Sequence, residues 1–247
     1  YMETREYFKD IGYKPFLFYV VFGVTGEKLQ VSKSRHHVYV FPDDLEIHSL
    51  CRTNHADYIN GFFEGTLGKI LKKANRELYE KCLNTEDCAV IKGYIKDDSN
   101  LEYMRNVIGI VQAFVEQGAV GVLDLLTFSM YAPKEWEENF FDREITAKNN
   151  VVILLSEEQD KYWMHTRGMA KFGRPDFSLH NVDKNTIDKC KAILDYMMIH
   201  CIKGEFFNGE FIINTKNGDT YKVKSKFVDD FENDDFNNAY CEVEIIR

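Results

Sequence analysis

The sequence predicts an α+β fold, with mixed or mainly antiparallel sheets packed by three to four helices and closed by a C-terminal β-hairpin. Three observations carry that expectation. Runs rich in Val, Ile, Phe and Tyr recur along the whole chain, as in half-buried or buried strands. Two long segments repeat apolar residues at helical spacing. Near the end, EFIIN and TYKVKSKF flank Lys216, Asn217, Gly218 and Asp219, and Asn-Gly is the strongest short hairpin signal. No Pro-, Gly- or Ser-rich linker divides the chain and no internal repeat is visible, so a single α+β domain is expected over 1–247, with two pseudo-similar halves, 1–87 and 88–247, as its variant.

Taken in order, YMETREYFKD reads as a short helix, and strand-like runs follow at 15–24, 36–41 and 45–50. Leu67, Ile70, Leu71, Ala74 and Leu78 then recur at helical spacing with basic residues on the other faces. CAVIKGYIK (88–96) is a strand. Ser99 with Glu102 three residues on has the spacing of a capping box, starting a largely apolar helix that stops at Gly118. AVGVLDLLTFSMY reads as one strand, APKEWEENFF as a short helix with Pro133 in its first turn, and VVILLS as a strand. YWMHTRG and DFSLH are strands, and Ile187 to Ile202 is a helix ended by Gly204. DDFENDD (229–235) is a solvated loop before a last strand, CEVEII.

At 45% hydrophobic and 29% charged residues the composition is that of an ordinary folded chain, and the net charge of -9 argues against a nucleic-acid partner. The six cysteines form no CxxC pair, which fits a reducing, cytoplasmic setting. FLFYVVFGV (16–24) has the length of a signal-peptide core, but its interleaved aromatics read as a buried strand; no apolar run reaches the roughly 18 residues that span a bilayer. His48, Cys51 and His55 have ligand-like spacing but lack a fourth ligand, so no metal and no cofactor is expected. The basic residues Lys69, Lys72, Lys73, Arg76 and Lys81 alternate with Glu77 and Glu80 as on a solvated helix face. There is no nucleophile elbow and no phosphate loop.

One stretch stands out: WMHTRGMAKFGRPD, residues 163–176. On a strand, Trp163, His165 and Arg167 share a side, and across the turn Asp176, Ser178 and His180 share another. The candidate ligand-binding residues are therefore Trp163, His165, Arg167, Lys171, Arg174, Asp176 and His180, with Arg167 and Arg174 suited to a carboxylate or phosphate. A plainer account lets Arg167 pair with Asp176 around a glycine turn. In either case the loop from Arg167 to Asp176 should be ordered, with Phe172 turned inward as its anchor, and Arg174, if it serves only binding, should be replaceable by Ala at a cost well under about 1 kcal/mol.

The run HTRGMAKFGRPDFSL, with GAVGVLDLLTFSMYAPKEW before it, resembles a family of bacterial domains of unknown function in which "GAxGV" precedes "TxGMxxFGxPE". Thr166, Gly168, Met169, Phe172, Gly173 and Pro175 carry the likeness, which covers about residues 88–205; Asp176 stands where Glu is expected. The resemblance implies a domain and assigns no chemistry. The function expected is a non-catalytic cytoplasmic binding or assembly domain for a protein partner, a second copy or a small acidic ligand. The alternative is a hydrolase using His165 or His180 as base, Asp176 as its orienting carboxylate and Arg167 or Arg174 for an anionic substrate.

Overall fold

The computed structural model describes residues 4–215 and 218–246. The fold is α+β. The chain divides into two compact units, one of Tyr1–Pro15, Asp97–Asn100 and Thr146–Arg247, the other of Phe16–Lys96 and Leu101–Ile145. The division is thus interleaved and does not run between residues 87 and 88.

The second of these units is built on a five-stranded antiparallel sheet of β1 (Phe16–Phe22), β2 (Glu46–Cys51), β3 (Asp87–Tyr94), β4 (Gly121–Asp124) and β5 (Ser129–Tyr131), in the order β2-β3-β1-β4-β5. β1 pairs along both edges, and Leu17, Tyr19, Val20, Val21 and Phe22 are closed to solvent, which is why FLFYVVF is apolar without alternation. On the way to β2 the chain forms α1 (Lys33–His36) where a strand over 36–41 is expected. Ser32 Oγ accepts from the Arg35 amide, and His37 stops the turn at a φ of 56°. The helical pattern at 67–78 is two helices following α2 (Arg52–Gly61): α3 (Gly65–Ala74) and α4 (Arg76–Leu83). Asn75 separates them because its side chain caps α4, accepting from the Leu78 amide.

α5 (Glu102–Glu116) is the buried helix its all-round apolarity predicts, but no side chain caps it; Ser99 bonds Asp98 instead. The segment expected as one strand at 119–131 is β4, a turn and β5, with Phe128 at a φ of 54°. α6 (Pro133–Trp136) runs into a π turn at Glu137–Phe141. The other unit adds α7 (Ala147–Asn150) and α8 (Ile187–Ile202). Among the described residues there are therefore eight α-helices, five of them of eight residues or more, where three to four are expected. Residues 4–10 carry an isolated bridge from Thr4 to Asn100 in place of the expected helix; residues 1–3 lie outside the described residues.

That unit's sheet has six strands: β6 (Val152–Glu158), β7 (Lys161–Arg167), β8 (Asp176–Val182), β9 (Gly209–Asn214), β10 (Thr220–Val228) and β11 (Tyr240–Ile246), in the order β6-β7-β8-β11-β10-β9. All neighbours are antiparallel except β8 and β11. β9 and β10 form the expected hairpin, while Lys216 and Asn217 of its turn lie outside the described residues. Strand alternation gives the sheet two unlike faces. One presents Met164, Phe177, Leu179, Ile213, Val223, Cys241 and Val243, all buried, and lies against α8. The opposite face carries Glu158, Trp163, His165, Ser178, His180, Tyr240, Glu242 and the exposed lysines of β10.

Candidate functional site

The loop between β7 and β8 is ordered by backbone and burial. Gly168 and Gly173 take φ of 115° and 61°, bracketing a single 3-10 turn, Met169–Phe172. A Cβ at Gly173 would lie 2.8 Å from the Tyr13 carbonyl oxygen, so that position admits no side chain. Phe172 is closed to solvent, as expected.

Arg174 is not a surface cation. It is 1% exposed, and all five of its N–H groups have acceptors. Nε donates to the Glu205 carbonyl (3.2 Å), Nη1 to the Gly173 carbonyl (2.8 Å) and Asp97 Oδ2 (3.0 Å), and Nη2 to the carbonyls of Lys9 and Gly204 (2.8 Å each). Arg5 meets the other oxygen of Asp97 and donates to the Ile202, Asp98 and Phe172 carbonyls. Two guanidinium groups thus share one carboxylate and gather the carbonyls at the end of α8, where cations are favoured. Burial pushes the Asp97 carboxyl above the usual carboxylate range even between two cations. This is a tie between chain segments in which every Arg174 donor is taken.

Asp176 is likewise internal. Oδ1 accepts from Thr166 Oγ1 (2.8 Å) and the Met169 amide (3.3 Å), and Oδ2 from Asn238 Nδ2 (2.8 Å). Burial raises its pKa to about 6 against those hydrogen bonds. No histidine is among its partners. Lys171 is fully buried, and Arg167, 5% exposed, donates to the Asp235 carbonyl.

The remaining candidates come together on the open face. His165 and Ser178 are register partners, but between Tyr162↔Val182 and Met164↔Leu179 the register slips, so that His180 and Asn181 stand against Trp163 alone, with Asn181 at a φ of 58°. This bulge aims His180 flat on the indole. Trp163 is held between two imidazoles, His165 at 3.8 Å and His180 at 5.2 Å with ring planes 2° apart. Phe236 meets Trp163 and His165 edge-on and stacks on Tyr240 at 4.6 Å, giving five contiguous rings.

Hydrogen bonds fix the platform. Trp163 Nε1 donates to Ser178 Oγ (2.9 Å), which lies 3.1 Å from His180 Nε2, and His180 Nδ1 lies 2.9 Å from Glu158 Oε2. A serine, an imidazole and a carboxylate in line have the order of a nucleophile, its base and an orienting acid. Here Ser178 is 2% exposed and its Oγ accepts the indole N–H, so the effect of the series is to orient His180. His165 has its pKa lowered to about 4 by burial first and by the Arg167 charge second, so its ring is neutral at neutral pH. Its buried Nδ1 has no hydrogen-bond partner among the described residues.

Of the seven residues singled out in sequence, the structure brings Trp163, His165 and His180 together, and it buries Arg167, Lys171, Arg174 and Asp176, with His165 as deep as Arg167. Sequence reasoning missed Arg5, Asp97 and Asn238, which complete the interior, and Glu158, Phe236 and Tyr240, which complete the platform. Only strand alternation around Glu158 and Tyr240 could have pointed to any of them. Elsewhere, His48 pairs with Glu46 on β2, and among the described residues no group of three or more His, Cys, Asp or Glu is placed to hold a metal. The basic face of α3 and α4 is ion-paired, Lys72 and Arg76 with Glu80 and Lys81 with Glu77.

The six-stranded unit is thus a mixed sheet with a helix on one face and an aromatic platform on the other. Residues 151–227 match the model of a family described as protein of unknown function (DUF4026), C-terminal. The matched stretch holds the whole β7–β8 segment and leaves out Asp235, Phe236, Tyr240 and residues 118–122. No curated protein and no solved structure matches the chain.

Proposed function

We propose that the chain is a non-catalytic binding or assembly module, working in a bacterial cytoplasm, which engages a protein partner or a second copy of itself through the open face of the six-stranded sheet. The observation that carries this reading is the platform itself. Five rings lie contiguous on the sheet face opposite α8, with Trp163, His180 and Tyr240 reaching solvent and His165 and Phe236 buried beside them, and aromatic residues are enriched where proteins meet. Six free thiols, five of them buried, support a reducing compartment. A small acidic ligand loses its support, because the cations expected to hold it are internal. Hydroxyl-radical footprinting of Trp163, His180 and Tyr240, run beside light scattering over a concentration series, tests the reading. Protection of these rings on self-association or with cell extract, while exposed Tyr94 stays reactive, is the expected result; a monomer whose rings react equally in both settings overturns it.

The hydrolytic reading survives only in altered form, with Ser178 as nucleophile, His180 as base and Glu158 as orienting acid in place of Asp176. A fluorophosphonate probe that labels Ser178 in the folded chain supports it; an unlabelled Ser178 removes it.

A further inference from the structure

Resting on that reading, we infer that the open face takes a basic segment of a partner protein, seating an arginine guanidinium on the Trp163 platform. Residues 229–235, DDFENDD, bring five carboxylates and no cation; Asp229 meets the Tyr13 hydroxyl and Asp235 lies in reach of the Arg167 charge. The loop ends on the platform: the Asp235 carbonyl accepts from Arg167, and Phe236 touches Trp163, His165 and Tyr240. Glu158 and Glu242 stand on the same face, in exposed pairs with His180 and Lys226 that a stronger cation can displace at little cost. At the β7–β8 side of the face the ring planes and the carboxylates therefore ask for the same partner group, while the β10 lysines, of which Lys222 and Lys226 pair with Glu210 and Glu242, lie two strands from β8. A guanidinium is flat, stacks on indole and imidazole, and forks to a carboxylate, whereas an ammonium meets both ring and carboxylate as a point charge, with no plane to stack and no fork. His165 adds an independent sign: a neutral imidazole, 5% exposed, whose Nδ1 lacks a partner among the described residues and whose ring forms one wall of the Trp163 stack. In the tautomer that carries its proton on Nε2, an N–H donor settling against that stack would satisfy a buried acceptor otherwise left at a cost. Nucleic acid is disfavoured by the same carboxylates.

The test uses the full chain and three fluorescein-labelled peptides, Gly alternating with Arg, Lys or Glu, followed by anisotropy and by Trp163 emission. The Arg peptide should bind about tenfold tighter than the Lys peptide at about 0.15 M salt, and the Glu peptide not at all. Trp163→Leu should bring Arg down to the Lys level, the double variant Asp234→Asn with Asp235→Asn should weaken both, and Lys191→Ala on α8 should change neither; melting curves verify that each variant is folded. Equal affinity for Arg and Lys, insensitivity to Trp163→Leu in a folded variant, preference for the Glu peptide, or no binding overturns the inference. If no peptide binds while the rings are protected in the footprinting experiment, the binding reading stands and the guanidinium falls; if the rings are unprotected as well, both fall.

Discussion

The two parts of one short stretch behave oppositely. Residues 167–176 look like a charged, accessible loop and are buried throughout, with Arg174 and Asp176 each 1% exposed. Trp163 and His180, candidates drawn from the flanking strands, reach solvent on the face opposite α8. Charge in a sequence therefore reports a need for partners rather than a need for water. A guanidinium whose five N–H groups all find carbonyl or carboxylate acceptors is stable in the interior, and Arg174 finds them in segments far away in sequence, at Lys9, Asp97, Gly204 and Glu205.

The most direct way to break this contrast is Arg174→Ala. It strands Asp97 with one cation and leaves four other carbonyls short of a donor, so the loss should be on the order of 3–5 kcal/mol in denaturant melts. Arg174→Lys should recover little of it, because one ammonium cannot reach acceptors arranged for a fork. A loss well under about 1 kcal/mol, the outcome for a cation that serves binding alone, would return Arg174 to the surface site. Phe172→Ala comes next. Its ring is closed to solvent between the two glycine bends, and a cavity there should remove about 3–4 kcal/mol.

Two buried titrating groups on either side of the contrast should oppose one another in pH. His165, with its pKa lowered to about 4, destabilises the fold as pH falls below about 6.5, because the unfolded chain takes up that proton first. Asp176, with its pKa raised to about 6, acts in reverse: its stabilisation is complete below about 4 and is lost as pH rises through 6. Each amounts to about 3 kcal/mol, so across pH 4–6 they nearly cancel. His165→Phe removes one arm. The stability difference between the native chain and this variant should rise by about 3 kcal/mol from pH 4 to 6.5 in urea titrations, and a pH-independent difference would show that His165 is protonated or exposed in the fold.

Local signals were legible and long-range ones were not. The strand character of 16–22, 152–158, 161–167 and 176–182, the α8 helix, the β9–β10 hairpin and the inward turn of Phe172 all follow from spacing and glycine placement within a few residues. The failures have physical causes. Asn75 and Phe128 interrupt continuous-looking patterns through a cap and a left-handed turn, which apolar periodicity does not register. The interior fate of Arg174 depends on Asp97, 77 residues away, and that of Asp176 on Asn238, 62 residues away. The platform needed a bulge, because only the slipped register lays His180 against Trp163.

The smallest expected effect is the sharpest test of the open face. His180 lies about half exposed, its pair with Glu158 is exposed on both sides, and its other hydrogen-bonding neighbour, Ser178, keeps the Trp163 donor when the imidazole is gone. An exposed ion pair contributes about 0–1 kcal/mol, and the lost ring stack is open to water on one side. His180→Ala should therefore lower stability by less than about 1 kcal/mol while leaving the Trp163 indole more accessible to an aqueous quencher. Trp136, 0% exposed, gives an unmoving reference in the same emission spectrum. If the same substitution removed 3 kcal/mol or more, the platform would be as structural as the Arg174 tie. The difference between the two parts of the stretch would then lie in their depth alone.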